Sequence, residues 1–311
     1  DYASGFGSFD VAAAAAFTRS SVTVSVEPVL IQPGATVTLT AAITGNSPGG
    51  TVQFTANGTA LGSWDTIASR YFVAAAMIWA LSNTQSLNTA TPNLPITFYL
   101  ANTLEYTRPS NATQKEGSRP YGNNLAFPGA LPEIDGGDTR IQSVTYSGGR
   151  LWASLATAVI DNDGTEVVGG AFVIFSPTIR SSTLNAVVLR QGYFGLRGNH
   201  LLRSAIAVNA QGRGAIAATI TGPDYYPGVV YLPIDTFTGP TAARLAADGF
   251  LPEDGFTGYQ GGFGPGLARW GDYATPVIAP DGSFWATVEY IPNLPRFATA
   301  NWGAYITRFV P

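Results

Sequence analysis

One phrase recurs along this chain: an aspartate, an apolar strand-like run, a break at small residues, then an Ile/Leu/Phe-Trp-Ala strand. It occupies residues 65–79, 138–152 and 272–285. A degenerate copy reads Ser204-Ala-Ile-Ala-Val-Asn-Ala-Gln-Gly-Arg-Gly-Ala-Ile-Ala-Ala. Trp79, Trp152, Ile216 and Trp285 lie 73, 64 and 69 residues apart. A unit repeated at a near-constant period has to bury its apolar face against its neighbours, which predicts a stacked or radial array. The unit here is a strand pair, so residues 63–311 are expected to form a β-propeller-like domain.

Composition agrees with an all-β chain. Only 12% of the 311 residues are charged, with 36 Gly and 21 Pro, against about 25% charged in an average domain. Low charge with many turn residues and aromatics is unlike a disordered segment. Net charge is −4, and the arginines are spread along the whole length, so no nucleic-acid footprint is expected. No apolar run reaches the ~20 residues of a membrane span. The chain has no Cys and one His, His200. That excludes zinc sites built from Cys and His, and Cys nucleophiles; a Ser-His-Asp triad could use only His200. The start at Asp1 reads as a mature or trimmed product.

The chain divides into three regions by character. Residues 1–20 hold a Gly-rich turn and then Phe9-Asp-Val-Ala-Ala-Ala-Ala-Ala-Phe17, which predicts a short N-terminal helix from alanine's propensity, with Ser8 as its N-cap. Within residues 21–62, runs 21–26 and 35–43 alternate strictly and Thr51-Val-Gln-Phe54 follows, with breaks at Pro33-Gly34 and Pro48-Gly49-Gly50, the pattern of a small antiparallel sandwich. Residues 63–311 carry the repeat. Two strand pairs are predicted there, 141–146 with 150–156 and 277–279 with 283–290, the second turning at Pro280-Asp281-Gly282. Within the first copy of the repeat, residues 68–81 could be strand or helix.

Three resemblances attach to these regions. Asp1-Tyr-Ala-Ser-Gly5-Phe-Gly7-Ser8 with the alanine run resembles the C-terminal end of a sedolisin-type serine peptidase domain. The resemblance implies that Asp1 is a calcium ligand, and it covers neither the family's nucleophile nor its acidic catalytic residues. Residues 22–62, with Gln32-Pro-Gly-x-Thr-Val-Thr-Leu and Gly-Gly-Thr51-Val-Gln-Phe, look like a bacterial Ig-like module. Residues 79–311 resemble a group of uncharacterised secreted bacterial proteins read as propeller-like. The shared phrases include Gly222-Pro-Asp-Tyr-Tyr-Pro227, Arg269-Trp-Gly-Asp-Tyr273 and Asn301-Trp-Gly303. Together they imply a secreted or cell-surface bacterial protein with an Ig-like module followed by a propeller-like domain.

Three sets of residues are candidates for chemistry. Arg269, Trp270, Asp272 and Tyr273 with Trp302 either line a ligand site, where the rings stack on a sugar or peptide and the charges orient it, or lock neighbouring sheets together. Asp161, Asp163 and Glu166 alternate around Gly164 like half a calcium loop, and the same residues fit an ordinary hairpin turn. With Asp1, they make Ca2+ the one cofactor to consider. Asp138, Asp254, Asp272 and Glu289 could supply the paired carboxylates of a glycoside hydrolase. No complete catalytic motif is present. The expected function is therefore a non-catalytic binding or assembly protein that meets a protein or polysaccharide at the cell surface, or further copies of itself. The alternatives are the C-terminal fragment of a processed sedolisin-like peptidase and, more weakly, a propeller-type glycoside hydrolase.

Overall fold

The computed structural model describes residues 11–13, 21–27, 38–44, 51–56, 59–65, 70–118, 131–181, 183–254, 266–294 and 301–311. The protein is all-β. Among the described residues there is no α-helix, and hence none long and apolar enough to cross a membrane. The chain forms two units: residues 1–107 with 179–184, and residues 108–178 with 185–311.

The first unit holds β1 (Val11–Ala13), β2 (Ser21–Glu27), β3 (Thr38–Thr44), β4 (Thr51–Ala56), β5 (Thr59–Asp65), β6 (Arg70–Leu81) and β7 (Ile96–Thr107). β2 pairs with β3, and the others form one sheet in the order β1-β4-β5-β6-β7. The alternating runs of the sequence become β2, β3 and β4. The N-terminal helix does not form at Val11–Ala13: these residues are a strand antiparallel to β4, with Val11 opposite Phe54. Alanine's helix preference is only a few tenths of a kcal/mol per residue, too little to hold so short a helix against a sheet edge. β6 is an unbroken strand through Ala74-Ala75-Ala76. The first copy of the repeat therefore has no hairpin at its small-residue break. β5 continues past residue 62 and pairs with β6, Gly62 opposite Val73.

The second unit is built from three successive antiparallel meanders. The first sheet comprises β9 (Ile141–Ser147), β10 (Arg150–Ile160), β11 (Glu166–Arg180) and β12 (Thr183–Phe194). The middle sheet comprises β13 (His200–Val208), β14 (Arg213–Gly222) and β15 (Tyr225–Asp235), and the short β16 (Gly239–Pro240) and β17 (Arg244–Ala247) both pair with β15. The last sheet is β19 (Thr275–Ile278), β20 (Phe284–Tyr290) and β21 (Gly303–Phe309). A parallel pair, β8 (Glu133–Ile134) with β18 (Leu267–Ala268), lies outside the meanders.

The middle sheet is buried on both faces, which is why β13 and β14 read as near-continuous apolar runs. Side-chain size sorts by face. Ile206, Val208, Ile216 and Ile220 pack on Trp152, Phe172 and Ile174 of the first sheet. Ala205, Ala207, Ala215 and Ala217 face the last sheet. The small alanines leave room for Phe284, beside which Tyr231, Tyr290, Tyr305 and Phe309 pack. The structure also corrects the register of the repeat. The first hairpin of each meander turns at a glycine with positive φ, Gly149, Gly212 or Gly282. Three residues beyond it stand Trp152, Ala215 and Trp285, so Ala215, not Ile216, is the counterpart of the tryptophans. Trp152 and Ala215 are fully buried against the next sheet, whereas Trp285 is 38% exposed.

Candidate functional site

A small buried cluster joins the first two sheets to segments outside the meanders: Val168 from the first, Leu202 from the middle, and Ala112, Ile134, Trp270 and Ile291, the last one residue beyond β20. Trp270 is 1% exposed, and its indole N–H donates to Thr219 Oγ1 at 3.1 Å. It is therefore a core residue: of the two readings of this cluster, packing and not ligand contact holds for Trp270. Its two neighbours in the phrase, Arg269 and Asp272, form an ion pair at the surface. Burying Trp270 aims them outward into a cleft of about 410 Å³.

Arg269, Asp272, Tyr273 and Trp302 all line this cleft, with Glu253, Glu289, Thr275 and Thr287. Tyr273 and Trp302 keep much of their ring surface exposed. Four of the five residues singled out as ligand-binding in the sequence thus converge on one cavity, although Trp302 lies about thirty positions from the rest. Thr275, Thr287 and Glu289 come from the outward face of the last sheet, where Thr275 sits opposite Thr287.

Glu289 is held from behind. Thr219 Oγ1 donates to the Glu289 carbonyl at 2.7 Å while accepting from Trp270, so the strand end is bolted to the buried cluster. The Gly271 N–H hydrogen-bonds the Glu289 carboxyl group. Gly271 has φ +32°, and a Cβ there would stand 2.4 Å from Glu289 Oε2, so only glycine allows this approach. Burial pushes the carboxyl up from 4.5 to about 7. The Arg203 and Arg269 charges and the Gly271 hydrogen bond work against that rise, and the nearby Asp272 charge adds to it.

Arg203 is one of two residues at the site that sequence reasoning missed. β13 shifts register between Leu202 and Ala205, and Arg203 takes φ +52° in that irregularity. Such a bulge re-aims a side chain out of the strand's alternation. The guanidinium is largely buried, bonded to Asp135 Oδ2 at 2.7 Å and to the Trp270 carbonyl at 2.9 Å. Glu253 was missed as well. It is 1% exposed, and its backbone is gripped by Gln114, which donates to the Glu253 carbonyl and accepts from its N–H. A lone glutamate between Pro252 and Asp254 carries no sequence signal of such burial.

The remaining candidates lie elsewhere. Asp254 is buried beside Glu253 and is not among the cleft residues. Asp138 is ion-paired with Arg140, which holds its carboxyl below the usual range. Asp161 Oδ1 accepts the N–H groups of Asp163 and Thr165, and its Oδ2 accepts that of Gly198. Asp163 pairs with Arg197, and Glu166 accepts from Ser110. Among the described residues no group of three or more His, Cys, Asp or Glu side chains could hold a metal ion. Asp1 and the peptidase-like phrase lie outside the described residues. His200 is buried, its Nδ1 accepting the Val168 N–H at 3.1 Å and its Nε2 3.1 Å from Thr113 Oγ1, a pin between segments. Comparison with models of protein families, with curated proteins and with solved structures gives no match.

Proposed function

We propose that the second unit is a saccharide-binding domain of a secreted or cell-surface protein. One observation carries the reading: two exposed aromatic rings, Trp302 and Tyr273, share a cleft with Arg269, Asp272 and Glu289. Sugars present apolar C–H faces and hydroxyl edges, so a ring platform beside a few fixed donors and acceptors matches both. The rigid backing favours binding, because the polar groups are ordered before the ligand arrives. Propeller-type geometry is the finer fold we propose for this unit. Consecutive meanders stacked face to face support it, as does a polar cleft at one end of the sheets. An Ig-like module for residues 21–62 is supported by the alternation and pairing of β2 and β3. Secretion is proposed on the resemblance of residues 79–311 to secreted bacterial proteins alone.

The test is calorimetric titration of the full chain with oligosaccharides of several linkages. Trp302→Ala, at a half-exposed ring, should weaken binding about tenfold or more while leaving the melting temperature within a degree or two, from the loss of about 1–2 kcal/mol of stacking. Failure of the wild-type chain to bind any of the oligosaccharides would end the reading.

A further inference from the structure

Resting on the saccharide reading of the cleft, we propose that the site also cleaves the glycosidic bond of what it binds, with the Glu289 carboxyl as general acid and Asp272 as the base that activates water. The two carboxyl groups line one cavity and lie close enough for the Asp272 charge to act on Glu289. Their surroundings differ in the sense such chemistry needs. Asp272 is at the surface, ion-paired with Arg269. Glu289 is packed at the base of the sheet end, and burial keeps its proton in place up to about pH 7. Two carboxyls with unlike environments are the arrangement that separates an acid from a base. The charged groups around Glu289 are Arg203, Arg269 and Asp272, with Glu253 also lining the cleft and Arg140 within electrostatic reach of Asp272.

The step balances without a cofactor. Glu289 gives its proton to the glycosidic oxygen as the bond from that oxygen to the anomeric carbon breaks. A water molecule adds its oxygen to the anomeric carbon and gives a proton to Asp272. The products are two shorter sugars, one with a new reducing end, and proton exchange with solvent restores both carboxyls. Trp302 supplies the platform on which the sugar beside the scissile bond rests.

The experiment incubates the wild-type chain and Glu289→Gln with hexasaccharides of β-1,4-linked glucose, N-acetylglucosamine and xylose and of α-1,4-linked glucose, measuring binding and new reducing ends. Each is also given the 2,4-dinitrophenyl glycoside of the cleaved sugar, whose leaving group needs no proton. The expected result is cleavage of a bound hexasaccharide, with activity falling as pH rises through about 7. Glu289→Gln should lose about 10²-fold or more on the hexasaccharide, and far less on the dinitrophenyl glycoside. Binding without cleavage by the wild-type chain overturns the catalytic proposal and leaves the binding reading standing. Equal losses on both substrates also overturn it, since they mark a structural role for Glu289. Absence of binding to every hexasaccharide removes both.

Discussion

Replacing Glu289 by glutamine removes a charge whose formation the fold opposes, and the effect on stability follows from the position of one proton. In the unfolded chain the carboxyl titrates near 4.5; in the folded protein burial raises it to about 7. Below 4.5 both states hold the proton, and the group contributes nothing to the pH dependence. Between 4.5 and 7 the folded state keeps a proton that the unfolded state has released, so stability falls as pH rises, levelling off above the folded value. Each pH unit is worth about 1.4 kcal/mol, which gives an upper limit of about 3 kcal/mol for the whole rise. The cleft is open to solvent on one side, so about 2 kcal/mol is the working figure. Glutamine has no charge to bury, and its side-chain carbonyl can accept the Gly271 N–H. Glu289→Gln should therefore match wild type near pH 4 and exceed it by about 2 kcal/mol above pH 8. Urea denaturation of both proteins across that range, followed by tryptophan fluorescence, measures the difference directly. A difference that stays constant with pH, or shrinks as pH rises, refutes the burial argument for Glu289.

Three further outcomes are expected. Arg203→Met leaves Asp135 buried without its partner and should cost about 3–5 kcal/mol; adding Asp135→Asn should restore much of it, and a single-variant loss under about 1 kcal/mol would show that the pair is solvated. Trp152 is 0% exposed, and its indole N–H has no hydrogen-bond partner among the described residues. Trp152→Ala should therefore cost about 3–5 kcal/mol, whereas Trp152→Phe, which forfeits no hydrogen bond, should cost clearly less in the same denaturation assay. His200 is held neutral by burial, against the pull of Glu133. Its NMR titration midpoint should fall below 6.5, and stability should decline as pH drops beneath that value, because the unfolded chain takes up a proton that the folded state resists. A midpoint above 6.5 would mean that Glu133 wins.

Local pattern carried well where neighbours impose little. The alternation of residues 21–62 became strands β2 to β4, and Pro280-Asp281-Gly282 turned between β19 and β20 with Gly282 at φ +82°. The spacing of the repeat marked successive hairpins in the second unit, but it misplaced the degenerate copy by one residue. In the middle sheet both faces are buried, so apolarity no longer tells one face from the other. Only the neighbours, Trp152 on one side and Phe284 on the other, separate Ile216 from Ala215. The alanine run at the N-terminus failed in the opposite direction. Intrinsic propensity pointed to helix, and pairing with β4 made Val11–Ala13 a strand.

The candidate site divides along the same line. Arg269, Asp272, Tyr273 and Trp302 stood out by composition, since charged and aromatic residues cluster there in a chain with few charges. Their convergence on one cleft, the withdrawal of Trp270 into the core, and the arrival of Glu253, Glu289 and Arg203 from distant segments are tertiary facts. Residue type and spacing state what a side chain can do, and strand period states which of two faces it takes. Whether a carboxyl keeps its proton, or an arginine leaves its strand to meet a buried aspartate, depends on atoms remote in sequence, because desolvation and charge act through space and not along the chain.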